Sequence, residues 1–161
     1  MSKKVLIISG SDSDLPIMRE AAKILEEFGV EYEQTISSAH RSPERTRELV
    51  ESAKKSGVKV IIASAGMAAH LAGVIAAHFP LPVIGVPIES GKLGGIDAFL
   101  SSLQMPPGVP VATVAINGSK NAGILAVQIL ATADKALEEK IIEFKKKLAE
   151  TVEQKAKELE S

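Results

Sequence analysis

Two stretches of this chain carry side chains suited to binding an anion and moving a proton. The first, Gly10-Ser11-Asp12-Ser13-Asp14, follows the apolar run Lys4–Ser9 and precedes Leu15-Pro16. Backbone N–H groups at such a strand-to-helix turn, with the helix dipole behind them, attract an anion. Ser11 and Ser13 add hydroxyl donors. Two carboxylates in the same turn would repel a phosphate, so they need another task. Asp14 is suited to accept hydrogen bonds from sugar hydroxyls while Asp12 points to water. Plain helix capping by Ser13 or Asp14 accounts for the pattern nearly as well.

The second, Ser37-Ser38-Ala39-His40-Arg41-Ser42-Pro43, sets a histidine beside an arginine. Imidazoles give and take protons near neutrality, and a guanidinium is a planar fork that clamps phosphate. An ordinary surface His and a solvated Arg are the alternatives. His70 lies in Gly66-Met67-Ala68-Ala69-His70-Leu71-Ala72-Gly73, expected in the first turn of a helix, where it either lines a crevice or satisfies the helix end. His78, at the far end of that helix, reads as structural. With no Cys and no second His near the first, a metal site is not expected.

The elements that must position these residues alternate. Lys4–Ser9, Val30–Ile36, Val58–Ala63, Val83–Val86 and Val111–Ala115 read as strands, the first buried on both faces. Helices are expected over Pro16–Phe28, from Pro43 to about Lys55 behind the N-cap Ser42, and over Ala68–His78, Ile96–Leu103 and Asn121–Thr132. This alternation predicts β-α-β units and an α/β fold: a flavodoxin-like three-layer α/β/α sandwich around a parallel sheet of order 2-1-3-4-5. Ligands then bind beyond the carboxyl ends of the strands, where the winding reverses. The loops starting at Gly10, Ser37, Ser64 and Pro87 should surround one crevice.

Residues 1–133 are expected to form the doubly wound domain, and 134–161 a long C-terminal helix. That helix carries a thin apolar stripe through Ile141, Phe144 or Lys145, Leu148, Val152 and Leu159, for packing on the domain or on a neighbouring subunit. The connection Gln104–Pro110 is stiff and turn-rich.

Composition narrows the function classes. A chain of 161 residues with formal net charge −1 lacks the basic surface that broad nucleic-acid binding needs, and one Tyr with no Trp offers no base-stacking platform. The first apolar run is too short for a signal h-region or a membrane span. The absence of Cys fits a reducing interior, and a cytoplasmic location is expected. No G-x-x-x-x-G-K-[ST] loop and no G-x-G-x-x-G fingerprint follows the first strand, the aromatics that would sandwich a flavin are missing, and Ala63-Ser64-Ala65-Gly66 offers no acidic phosphoacceptor.

Taken together, the loops resemble the N5-carboxyaminoimidazole ribonucleotide mutase family of purine biosynthesis, the bacterial type of the phosphoribosylaminoimidazole carboxylase catalytic subunit. The likeness rests on Gly10-Ser11, Ser13-Asp14, Ser38-Ala39-His40-Arg41 with Pro43, Gly66 followed by Ala68-Ala69-His70-Leu71 and Gly73, and Gly85-Val86-Pro87. Gln104-Met105-Pro106, Gly108, Pro110, Asn121-Ala122 and Gln128-Ile129-Leu130 continue it. Met67 stands where a second Gly is common and Ala72 where Pro is common; Glu89 and Lys92 also depart from the usual forms.

The resemblance implies a homo-octamer with sites built from more than one chain, a substrate carrying ribose 5-phosphate, and no metal, biotin or nucleotide cofactor. It implies His40 as the catalytic proton carrier, with Ser11, Ser13 and Arg41 on the phosphate side and Asp14 on the ribose. Ser38, Ala39, Gly66, Ala68, His70 and Leu71 complete the substrate-binding set. The implied reaction moves a carboxyl group from the exocyclic nitrogen of an aminoimidazole to ring carbon C4, through release and recapture of carbon dioxide. Two other readings stand beside it: direct carboxylation of aminoimidazole ribonucleotide by free carbon dioxide, and a non-catalytic sugar-phosphate binder on the same fold.

Overall fold

A computed structural model describes residues 3–160. Five parallel strands form one sheet in the order β2-β1-β3-β4-β5: β1 Val5–Ser9, β2 Tyr32–Ile36, β3 Val60–Gly66, β4 Val83–Ile88 and β5 Ala112–Thr113. Between and after them lie α1 Leu15–Phe28, α2 Pro43–Ser56, α3 Leu71–His78, α4 Ile96–Leu103, α5 Ser119–Ala131 and α6 Lys135–Glu160. This is the α/β/α sandwich with the expected strand order. No helix among the described residues is long and apolar enough to cross a membrane.

Every residue of β1 is buried, and its side chains alternate between two cores. Val5 and Ile7 join Val60, Ile62 and Ile84 under α1 and α5. Leu6 and Ile8 join Ile61 and Ala63 under α2 and α3. Period-2 alternation along the apolar run Val5–Ile8 is what a central parallel strand requires. α1 presents Met18, Ala21, Ala22, Ile24, Leu25 and Phe28 to the first core, and fully burying a side chain of the larger kinds contributes about 1.5–3 kcal/mol.

The sheet reaches further toward the crevice than the apolar runs suggest. β3 was expected over Val58–Ala63, but it begins at Val60 and runs on to Gly66, because Ser64 pairs with Ser9 of β1 and with Val86 of β4, and Gly66 with Ile88. β4 extends to Ile88 rather than Val86 for the same reason. β5 keeps only Ala112–Thr113 of the expected Val111–Ala115, an edge strand with one neighbour. α3 begins at Leu71, not Ala68: after the left-handed Met67, φ 55°, His70 N–H closes on Ala68 O, and the helix opens with Val74 N–H donating to His70 O. His70 therefore stands in the loop just ahead of the helix.

α6 is about 39 Å long at 1.5 Å per residue. Asp134 caps it, its Oδ1 accepting from the N–H groups of Ala136 and Leu137. Its first turns pack on the domain: Ile141 is buried, and Phe144 meets Phe28 edge-on at 5.5 Å. Lys140 Nζ donates to Phe28 O at the end of α1. Leu148, Val152 and Leu159 are exposed.

Candidate active site

The winding reverses between β1 and β3, and the loops after them form the floor of the site. Gly10 N–H donates to Ser64 O at 2.8 Å, and a Cβ on Gly10 would lie only 3.2 Å from that oxygen, so the two chains approach closely. A 3₁₀ turn, Asp12–Asp14, then leads into α1. Ser11 caps this turn: its Oγ accepts from Ser13 N–H and from Ser13 Oγ and donates to Asp12 Oδ1. Asp14 occupies the N-cap position of α1 but makes no side-chain capping hydrogen bond there. Asp14 is instead buried, with Ser64 Oγ donating to its Oδ2 at 3.3 Å. Burial pushes the Asp14 carboxyl above its ordinary value of 3.8; hydrogen bonds from Ser64, Ser11 and Gly10 oppose the shift, and nearby Asp12 adds to it.

The loop after β2 is braced by hydroxyls. Buried Ser37 shares a hydrogen bond with Thr46 at 2.8 Å, and Ser42 Oγ both accepts from Ser38 N–H and donates to Ser38 O. Arg41 donates through its backbone N–H to Ser38 Oγ, while its Nη2 reaches Gly10 O at 3.4 Å. The guanidinium therefore hangs over the serine turn from the neighbouring loop. His40 Nε2 lies 2.7 Å from His70 Nδ1, with the rings perpendicular and their centroids 4.8 Å apart. Thirty residues apart in the chain, the two imidazoles meet above the crevice.

These loops enclose a cavity of about 610 Å³. All eleven residues expected at the site line it: Ser11, Ser13, Asp14, Ser38, Ala39, His40, Arg41, Gly66, Ala68, His70 and Leu71. Glu89 and Ser90 also line it, and neither was assigned from the sequence. Lys92 does not. Glu89 is held from the loop after β5: its N–H donates to Asn117 Oδ1 at 2.9 Å, and Asn117 Nδ2 approaches its carboxylate at 3.4 Å. Ser90 sits so close to Gly66 that any Cβ there would overlap its Oγ. The signal available beforehand was Gly66 itself, a glycine at a strand end where another chain must approach.

A larger groove, about 810 Å³, runs along the β2 edge between α1 and α2, lined by Arg19, Tyr32 and Arg45 among others. It holds no histidine and no loop from the carboxyl ends of β3 or β4, so the smaller cavity is the better place for chemistry. The smaller one offers hydroxyl, amide and guanidinium donors at one end, a buried carboxylate on its floor and two hydrogen-bonded imidazoles at its rim. Donors in that number suit a phosphate, Asp14 suits hydroxyl donors, and the imidazoles suit proton transfer.

Residues 4–151 match the family model described as AIR carboxylase. The chain is 58% identical over 154 residues to the N5-carboxyaminoimidazole ribonucleotide mutase of Pyrococcus horikoshii, covering 96% of this chain and 87% of that protein. It is 55% identical over 155 residues to the phosphoribosylaminoimidazole carboxylase of Candida glabrata, covering 96% of this chain but 27% of that longer protein. Among solved structures, Treponema denticola PurE superposes with a TM-score of 0.89 at 29% identity, over 98% of each chain.

Proposed function

The chain belongs to the AIR carboxylase family, and from that premise we propose how its cavity moves the carboxyl group of N5-carboxyaminoimidazole ribonucleotide from the exocyclic nitrogen to ring carbon C4, the mutase step of purine biosynthesis. The observation that carries the proposal is convergence. His40, the Ser11–Ser13 turn and Arg41 come from two different loops and face one cavity above the buried Asp14.

Ser11, Ser13, the turn's amides and Arg41 hold the 5-phosphate. Asp14 accepts from the ribose hydroxyls. Ser38, Ala39, Gly66, Ala68 and Leu71 wall the heterocycle. Protonated His40 gives its proton to the exocyclic nitrogen as the N–C bond of the carbamate breaks, releasing carbon dioxide into the cavity. C4 attacks the trapped carbon dioxide, and His40, now neutral, takes the C4 proton. The proton lost at the start returns at the end, so atoms and charge balance within one turnover. General acid–base help of this kind contributes about 10²–10⁴-fold, and holding carbon dioxide against C4 adds a proximity effect.

The test supplies each substrate separately to the wild type and to His40→Asn. The wild type should consume the N5-carboxy compound without added bicarbonate. His40→Asn should lose about 10²–10⁴-fold in turnover while still binding the nucleotide. Near-normal turnover by His40→Asn would overturn the assignment. The Candida glabrata relative, named as a carboxylase, favours a second reading: direct carboxylation of aminoimidazole ribonucleotide. Turnover of that compound with bicarbonate, and none of the N5-carboxy form, would establish it instead.

On this proposal the doubly wound domain, which ends near residue 133, is the catalytic unit, working in the cytoplasm, and α6 packs on that domain or on a neighbouring subunit. The chain assembles as a homo-octamer in which adjoining chains complete each site. Two exposed apolar surfaces support assembly: Ile96, Leu100 and Leu103 at i, i+4, i+7 on α4, and the far half of α6. Light scattering checks it, with a particle of eight 17.0 kDa chains expected.

A further inference from the structure

We propose that His70 is a positioning residue that makes Nδ1, not Nε2, the proton-carrying atom of His40. The inference rests on His40 as the proton carrier and deepens that reading.

Nε2 of His40 is committed to the 2.7 Å hydrogen bond with His70 Nδ1. Among the described residues, Nδ1 of His40 has no hydrogen-bond partner, and it is the nitrogen left for the reaction. The choice of tautomer follows from the chemistry. After giving up its proton, His40 must hold a bare nitrogen ready for the C4 proton. If that nitrogen is Nδ1, the remaining proton sits on Nε2 and must be donated to an acceptor. His70 Nδ1 is that acceptor, provided His70 carries its own proton on Nε2. When His40 is protonated on both nitrogens, the same Nε2–H still donates to the same Nδ1. One tautomer of His70 thus serves both protonation states of its partner, and no ring turns between the two halves of the reaction. The two rings stand perpendicular, with their centroids 4.8 Å apart.

Local structure places the acceptor. Met67 turns the backbone at φ 55°, His70 N–H closes a short turn on Ala68 O, and the packed side chains of Ala69 and Leu71 pin the loop on either side of His70. The pair is therefore fixed from the β3 side while the loop after β2 supplies the working ring.

The test uses the whole 161-residue chain, which has only three histidines, labelled with 15N in the imidazoles at alkaline pH. A 15N–15N coupling across the hydrogen bond should link His40 Nε2 to His70 Nδ1, with the bare nitrogen of His40 being Nδ1. Kinetically, His70→Ala should lower kcat by about 10–100-fold, the size of loss seen when the partner that orients a metal-bound histidine is removed, with KM within about twofold. His70→Asn, whose Oδ1 takes the place of Nδ1, should recover most of that loss. The proposal is overturned if the coupling is absent, if the bare nitrogen is Nε2, or if His70→Ala raises KM and leaves kcat intact, which would make His70 a substrate contact. Turnover by His40→Asn tests the parent reading alone, because the coupling reports the pairing whether or not His40 is the proton carrier.

Discussion

Ser64 Oγ, on β3, donates to Asp14 Oδ2 at 3.3 Å, joining that strand to the turn after β1, fifty positions away, on the buried floor of the cavity. The carboxyl it supports is almost wholly inside the protein. Burial is the largest influence on that group and raises its pKa above 3.8. The folded chain thus carries a desolvated acid that an arriving ligand can satisfy with hydroxyl donors.

Asp14→Asn is therefore expected to stabilise the ligand-free protein at neutral pH while raising KM. The sign follows from linkage: a folded-state pKa above the unfolded one means the native state holds the proton more tightly, so stability falls as pH rises through the window from 3.8 to the raised value. Removing the charge should raise Tm at neutral pH. The gap between variant and wild type should close as pH is lowered through the same window. A gap of constant size across that range would refute this account of Asp14.

Gly123 of α5 lies against α1: a Cβ there would come 2.9 Å from Ala21 O and 3.0 Å from Ile24 Cβ. Ala is the better helix former by about 1 kcal/mol, so intrinsic propensity alone makes Gly123→Ala stabilising. Forcing a methyl into a packed contact costs about 1–3 kcal/mol. The contact should win, lowering Tm by about 2–4 °C for a net loss of about 1 kcal/mol. A rise in Tm on thermal unfolding would mean that α1 and α5 separate more easily than their packing implies.

Much of this was legible before any coordinates, and the divide has a physical basis. The strand order and the meeting of the loops at Gly10, Ser37, Ser64 and Pro87 follow from regular β-α-β alternation. Periodicity reports it, and chain handedness leaves few alternatives. Pairing lengths were less legible: β3 runs past Ala63 because its neighbours continue beside it, which no local pattern records. Glu89 and Ser90 stayed unassigned because the path from β4 to α4 turns on left-handed glycines at 91, 94 and 95. Such a path has no period to read. Nothing near His40 in the sequence announces His70 as its partner; the parallel alignment of β1 between β2 and β3 brings their loops together.

Tyr32 donates its hydroxyl to Glu26 Oε1 at 2.6 Å. That bond is the main reason its pKa rises from 10.0 to about 12, with desolvation and the charge of Glu26 adding to it. Tyr32 is the only tyrosine and there is no Trp, so ultraviolet titration reads this phenol alone. Phenolate should appear only near pH 12. Glu26→Gln should bring the transition back toward 10.0. The folded pKa is the higher one, so the stability this pair contributes is present below 10.0 and lost as pH rises toward 12. An ordinary titration in the wild type would show that the bond does not form in solution.

Met67 holds φ 55° while 59% exposed at the mouth of the cavity. A left-handed backbone costs an L-residue about 1–2 kcal/mol, and glycine escapes that cost but loses about 0.5–1 kcal/mol through the greater freedom of its unfolded chain. With few side-chain contacts to lose, Met67→Gly should be stabilising by up to about 1 kcal/mol, visible as a higher urea midpoint at an unchanged slope. Met67→Val should move the midpoint down, since a β-branched side chain tolerates positive φ least. The two substitutions have opposite expected signs at one exposed position, so backbone strain, rather than lost contact, is what they measure. If Met67→Gly lowered the midpoint as much as Met67→Val, the turn ahead of His70 would owe its shape to the methionine side chain instead.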